Sequence, residues 1–213
     1  MSDSTVSLDR LVAWLGRFTE LVTDQRAYLT ELDSAIGDAD HGANMSRGMT
    51  AVMEKLDGAT PGAADDLFKT VGMTLVTSVG GASGPLYGTF FLRMGMSAGA
   101  TSSVEAPALG AALRAGLDGV VARGKAEAGD KTMFDAMAPA IDAYDAAVAG
   151  GASPGSAAAA AFAAAETGRD ATEPLVARKG RASYLGERSA GHLDPGATST
   201  ALLFQALAET LAG

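Results

Sequence analysis

Apolar residues recur at helical spacing along most of the chain. Leu8, Leu11, Val12, Leu15, Phe18 and Val22 follow an i, i+3, i+4, i+7 pattern, which predicts an amphipathic helix capped by Ser7. Trp14 lies off that stripe, as packing or as partner surface. The pattern continues past a break near Thr23 and Asp24 through Tyr28, Leu29 and Leu32. Further helices are predicted over 42–56, 63–78, 85–98 (burying Leu86, Phe90, Leu92 and Met94), 104–123, 131–149, 155–178 and 197–211. The run D-G-A-T-P-G at 57–62 breaks the chain between two of these, and Pro107 is tolerable in the first turn of another. The stretch 157–165 has Phe162 as its one large residue. It predicts a close-packed helix rather than a linker, because alanine is the best helix former and linkers favour Pro, Gly and Ser. Nothing alternates with period two for long enough to predict a strand, and no repeat or composition break marks a second domain. The expectation is one all-α domain over residues 1–213, of about eight helices.

Composition agrees with that picture. Aromatics are only 6% of the chain, so helices must pack closely through small side chains. The 213 residues suffice to bury a full core. Charged residues interrupt every apolar run before it reaches the ~20 residues of a membrane span. The N-terminus, Met1 to Asp9, is polar and acidic, unlike a secretory signal. The absence of cysteine excludes disulfides and thiolate chemistry and fits the cytoplasm. A net charge of −9 argues against nucleic acid, which is held chiefly by Lys and Arg on phosphates.

The stretch 32–49, L-D-S-A-I-G-D-A-D-H-G-A-N-M-S-R-G-M, concentrates the acidity. On one continuous helix Asp38 would point about 140° away from Asp33. If a helix instead ends near Ile36 with Gly37 at its cap, the loop can fold Asp38 and Asp40 back beside Asp33. Three carboxylates that close call for a divalent cation, and an all-oxygen set of this kind suits Mg²⁺ shared with phosphate. The competing reading is a solvated acidic loop. An EF-hand does not fit, because counting from Asp38 puts Gly42 at position 5 and Met49 at position 12, where ligands are needed. His41 and Asn44 are placed to touch a bound anion.

Three more loops are rich in Gly and polar residues: 79–84, 124–132 and 180–196. In an up-and-down helical array alternate loops share one end, so these and 37–44 are expected to rim one site. Gly80-Gly81-Ala82-Ser83-Gly84 opens a helix, either as an anion cradle of free N–H groups or as a tight turn with a Ser cap. Neither the G-x-x-x-x-G-K-[ST] nor the G-x-G-x-x-G nucleotide signature is present; in Gly129-Asp130-Lys131-Thr132 an Asp separates Gly from Lys. Arg181 and Arg188, beside Arg178 and Lys179, form either a solvated basic loop or a clamp for phosphate or an acidic partner. The two histidines, His41 and His192, admit roles as phosphate contact, acid or base, or phosphocarrier. No Ser-His-Asp or Cys-His arrangement suggests a hydrolase, and no protein nucleophile is expected.

Four motifs in order carry a resemblance: L-D-S-A-I-G-D-A-D-H-G-A-N-M-S-R-G, G-M-T-L-V-T-S-V-G-G-A-S-G-P-L-Y-G-T-F-F, D-G-V-V-A-R-G-K-A-E-A-G-D-K-T-M and A-R-K-G-R-A-S-Y-L-G-E-R-S-A-G-H-L-D-P-G-A-T-S. The chain resembles the nucleotide-binding L subunits of bacterial dihydroxyacetone kinases. The resemblance implies an antiparallel eight-helix barrel with the nucleotide at one rim. It implies that Asp33, Asp38 and Asp40 hold two Mg²⁺ ions on the diphosphate of ADP or ATP. His41, Gly42, Ala43, Asn44, Ala82 and Ser83 would line the phosphate and ribose side. Gly124, Met133, Arg181 and the turn Asp194-Pro195-Gly196 would complete the pocket. The implied partners are a K subunit, which holds dihydroxyacetone, and a phosphotransferase-type M subunit, which rephosphorylates ADP in place. The remaining readings are an ATP-exchanging kinase subunit for another ketose, such as a tetrulose, and a regulatory module that senses nucleotide or docks a transcription factor.

Overall fold

The computed structural model describes residues 4–59 and 61–212. Thr60 of the predicted breaker run and Met1 to Asp3 of the polar N-terminus lie outside the described residues. The chain is mostly helical, in the order β1 (Thr5–Ser7), α1 (Leu8–Asp24), α2 (Arg26–Ile36), α3 (His41–Gly58), α4 (Ala64–Ser78), α5 (Ser83–Ala98), β2 (Ser103–Glu105), α6 (Ala106–Gly124), α7 (Met133–Ala149), α8 (Pro154–Ala171), a 3₁₀ segment (Arg181–Ser189) and α9 (Pro195–Leu211).

Most helix limits fall within two or three residues of those the periodicity predicts. The first helix begins at the expected cap, with the Ser7 side chain accepting from the Arg10 N–H, and the chain bends at Gln25, one residue beyond the predicted break. Four expectations are corrected. The strand pair β1–β2, with Val6 opposite Val104, was not foreseen, because three residues are too few to show alternation. The helix expected to reach 178 stops at Ala171, where the Thr172 hydroxyl turns back to the Arg169 carbonyl. Part of the stretch expected to be irregular is the 3₁₀ segment. In α5 the buried stripe is Tyr87, Phe90, Phe91, Met94 and Ala98, while Leu86 and Leu92 are only half-buried. That stripe follows the i, i+3, i+4, i+7 rule more closely than the predicted one.

Each helix packs on its neighbours in the order α1, α3, α4, α5, α6, α7, α8, α9, and α9 returns to α1. One apolar core joins them. Trp14 belongs to it: the side chain is fully buried, its Nε1–H donates to the Leu203 carbonyl at 2.9 Å, and its ring meets those of Phe68 and Phe91. Close approach is made through glycine. A Cβ on Gly72 would stand 2.7 Å from the Gly88 carbonyl oxygen, so α4 and α5 touch backbone to backbone. A smaller cluster of Ile36, Ala177, Ala182 and Leu185 seats the 3₁₀ segment on the end of α2. Among the described residues no helix is long and apolar enough to cross a membrane.

Candidate functional site

The four loops singled out by sequence meet at one cleft of about 410 Å³. The packing order explains why. α3, α5, α7 and α9 all begin at this end of the array, so residues at their N-termini (His41, Ser83, Met133 and Pro195) all line the cleft. The first N–H groups of a helix have no partner within it, and its dipole places partial positive charge there. Four such ends around one cavity make a site for an anion such as phosphate.

The aspartate cluster stands at the head of α3, among these helix ends. α2 ends at Ile36 and Gly37 takes the cap position, its N–H donating to the Asp33 carbonyl at 2.6 Å. A Cβ on Gly37 would lie 2.0 Å from Asp33 Oδ1, so only glycine lets the chain fold back this tightly over the carboxylate. Ala39 then takes the left-handed conformation, φ 61°. Asp33 Oδ2 accepts from the N–H groups of Asp40 and His41 at 2.8 and 3.1 Å, which pins the loop and caps α3. As a result one oxygen each of Asp33, Asp38 and Asp40 lies within 4.8 Å of the others. The donor set is all carboxylate, graded from buried Asp33 to exposed Asp38, and suits a hard divalent cation that keeps part of its water. Arg181 reaches across from the 3₁₀ segment, its Nε 2.9 Å from Asp38 Oδ2.

His41 is buried at the head of α3, and burial pushes its pKa down against the opposing pull of Asp33 and Asp40. Both ring nitrogens are engaged within the protein: Nδ1 with Ser83 Oγ at 3.0 Å and Nε2 with Ser199 Oγ at 2.9 Å. Ser83 is therefore not the cap of α5, a position held by Ala82; its hydroxyl is turned to His41 instead. Ala82, Gly124, Met133, Arg181, Asp194, Pro195 and Gly196 also line the cleft. Gly42, Ala43 and Asn44 do not. Gly42 lies against α2, where an added Cβ would come 2.1 Å from the Arg26 carbonyl oxygen. Ala43 is half-buried. Asn44 supports Gly80 from below, and its Oδ1 accepts from Arg47 Nη2 at 2.6 Å. His192 is exposed outside the cleft.

Sequence reasoning missed Lys131, Tyr87 and Ser199. Lys131 is buried with φ 62°, and its Nζ donates to the carbonyls of Thr172, Glu173, Leu175 and His192 at 2.5–3.3 Å. Tyr87 and Ser199 carried a legible signal. They stand four residues beyond Ser83 and Pro195, and residues at i and i+4 share a helix face.

Asp194 is the N-cap of α9, its Oδ2 accepting from the Ala197 N–H at 2.7 Å. Burial pushes its pKa up to about 7 against that hydrogen bond. The folded chain thus keeps a proton that the unfolded chain has already lost above about pH 4, so this group makes stability fall as pH rises to about 7 and then level off. Asp194→Asn keeps the capping oxygen and removes the charge. Urea unfolding of this variant should show a flatter fall between about pH 4.5 and 7.5 than the parent, by a margin of order a few kcal/mol at the upper end. Parallel curves would mean that Asp194 titrates normally.

A family profile described as the DAK2 domain matches residues 35–209. Over 96% of its length the chain is 47% identical to the PEP-dependent dihydroxyacetone kinase, ADP-binding subunit DhaL, of Escherichia coli, covering 97% of that protein. The chain belongs to the DhaL family of dihydroxyacetone kinase subunits. The corresponding subunit of dihydroxyacetone kinase 1 of Listeria innocua is 44% identical over 97% of this chain and 98% of its own. The fold is shared with the dihydroxyacetone kinase of C. freundii, solved in complex with AMP-PNP and Mg²⁺. That likeness has a TM-score of 0.71 and 30% identity, over 93% of this chain and 33% of the longer one.

Proposed function

We propose that the chain is the nucleotide-carrying subunit of a cytoplasmic dihydroxyacetone kinase. In this reading it binds ADP or ATP with two Mg²⁺ ions in the cleft. It passes the γ-phosphoryl group to dihydroxyacetone held on a separate K subunit, and its ADP is rephosphorylated in place by a phosphotransferase-type M subunit. The observation that carries the reading is the meeting of three aspartates with four helix N-termini in one cavity. It fits a ligand that is anionic itself and brings cations with it. The names of the full-length relatives point the same way. The closed packing order of the helices around one core supports a single nucleotide-binding domain with an eight-helix barrel architecture, counting α1 and α2 as one bent helix.

The chemistry asked of this chain is positioning and charge balance. A bound magnesium–nucleotide supplies the phosphoryl group and spreads its charge over the metal. Asp33, Asp38 and Asp40 would hold the metal side, while the dipoles at the heads of α3, α5, α7 and α9 favour the anionic side. Arg181, paired with Asp38, adds an exposed cation to the cleft lining. The loose transition state of phosphoryl transfer needs little covalent help from the protein. A tetrulose in place of dihydroxyacetone would leave this site unaltered, since the ketose sits on the other subunit; the relatives' names favour dihydroxyacetone. The complete aspartate set weighs against a purely regulatory module, because loss of a metal ligand is what a degenerate binder would show.

Protein purified in Mg²⁺ at neutral pH should carry close to one ADP per chain, identified by denaturation and mass spectrometry, and should release it on treatment with EDTA. Nucleotide-free protein that also fails to take up added ADP and Mg²⁺ would refute the assignment.

A further inference from the structure

Behind the cleft wall lies a buried ammonium that the proposed function leaves unused. Lys131 is fully buried and makes no ion pair among the described residues. Its Nζ meets four backbone carbonyls instead, those of Thr172 at 2.9 Å, Glu173 at 3.3 Å, Leu175 at 3.1 Å and His192 at 2.5 Å. The Thr172 and Glu173 carbonyls also accept from the N–H groups of Leu175 and Gly191. Those of Leu175 and His192 have the ammonium as their one donor among the described residues. An ammonium has three protons for these four oxygens, so it is held as an ion among dipoles rather than bond for bond. Backbone carbonyls gathered in this way replace the water shell of a monovalent cation. A divalent ion would call for carboxylate ligands.

The cage ties together two walls of the cleft. Lys131 stands just before Thr132, the N-cap of α7, and both line the cleft with Met133. Three of the four carbonyls follow the end of α8, and the fourth, that of His192, lies two residues before Asp194, the N-cap of α9. Thr172 also holds the Asp194 N–H through its Oγ1 at 3.0 Å. The heads of α7 and α9 are themselves in contact, since a Cβ on Gly196 would stand 3.4 Å from the Met133 Cβ. A shift of the cage therefore moves Asp194-Pro195-Gly196 against Met133. The lysine sits in a strained backbone conformation: its φ of 62° is one that glycine adopts freely and lysine rarely.

We propose that the four carbonyls form a monovalent-cation site that the chain fills with its own Lys131 ammonium, and that this internal cation is a positioning residue, setting the Asp194-Pro195-Gly196 wall of the cleft against the head of α7. The protein thereby carries in its sequence an ion that an empty cage would have to draw from solution. The consequence for nucleotide rests on the proposed function, whereas the cation site does not.

Lys131→Gly empties the cage and suits the φ of 62°, so it removes the ammonium without straining the backbone. In about 0.1 M tetramethylammonium chloride, whose cation is too large for the cage, the urea midpoint of this variant should lie below the parent's. Exchange for KCl or NH₄Cl at equal ionic strength should restore at least about half of the loss, because an ion that binds only the folded state stabilises it. The parent, whose cage is full, should be indifferent to the exchange. A glycine variant that gains no more than the parent from K⁺ and NH₄⁺ would overturn the proposal. A second arm does not depend on how that variant folds. The chain has no cysteine, so Lys131→Cys can be alkylated at one place while unfolded. An aminoethyl group rebuilds the ammonium, and a propyl group rebuilds only its shape. After refolding and removal of nucleotide, isothermal titration with ADP and Mg²⁺ compares the two forms. The aminoethyl form should bind within about threefold of the parent, and the propyl form at least about tenfold more weakly or not at all. Equal affinities of the two forms would also overturn the proposal. A parent that binds no ADP would refute the proposed function, and the urea arm would still decide the cation site.

Discussion

Asp38→Ala should lower phosphoryl transfer by at least ~10³-fold, equivalent to about 4 kcal/mol of transition-state stabilisation, while leaving the helical circular dichroism of the protein intact. The asymmetry follows from where Asp38 sits. It is exposed, and its one ion pair among the described residues is with Arg181, whose side chain is 68% exposed, so the pair contributes ~0–1 kcal/mol to the fold. Toward a cation, by contrast, Asp38 is one of three carboxylates, and its loss leaves Asp33 and Asp40 to hold the charge alone. Asp33 is a less clean target, because its Oδ2 also pins the loop through the N–H groups of Asp40 and His41. A coupled assay of transfer to dihydroxyacetone, with the proposed K and M subunits present in excess, makes the measurement. An Asp38→Ala protein that transfers within about threefold of the parent would remove this residue, and with it the three-aspartate metal site, from the mechanism.

Lys131→Met should cost ~3 kcal/mol of stability, the largest loss expected for any single side chain on the cleft wall. Methionine fills the volume of the lysine stem but offers no donor, and four backbone carbonyls, those of Thr172, Glu173, Leu175 and His192, lose their common partner. The loss is partly offset, because the parent must keep a desolvated ammonium, whose pKa burial lowers. The substitution should also reach the cleft. Lys131 ties the turn after α8 to the segment leading into Asp194, and the Asp194 N–H is itself held by Thr172 Oγ1 at 3.0 Å. Urea melts should show a lower midpoint with an unchanged slope, and ADP should be released more readily than from the parent. An unaltered midpoint would mean that solvent satisfies these carbonyls.

Helix existence and order were legible in the chain because a 3.6-residue period needs only local information. The aspartate loop was legible for a similar reason: Gly37 between Asp33 and Asp38 allows one compact arrangement of three carboxylates, and the structure adopts it. Even the convergence of four loops followed from alternation of direction along the chain. Two short strands were not legible, since each of their three-residue runs is informative only beside the other. The identity of the buried face of α5 was also hidden, because Leu86, Tyr87, Phe91 and Leu92 are all apolar enough to serve. Neighbouring helices chose among them.

The sequence by itself therefore determined a helical chain with a carboxylate loop, glycine-rich turns and a family resemblance that names a nucleotide. Tertiary structure alone decided which polar groups touch. His41 and Ser199 are separated by 158 residues, and Lys131 and His192 by 61, so no local pattern pairs them. Their pairing comes from burial. Once packing removes water from the cleft wall, each donor must find an acceptor inside it, and the requirement that all be satisfied together selects one arrangement.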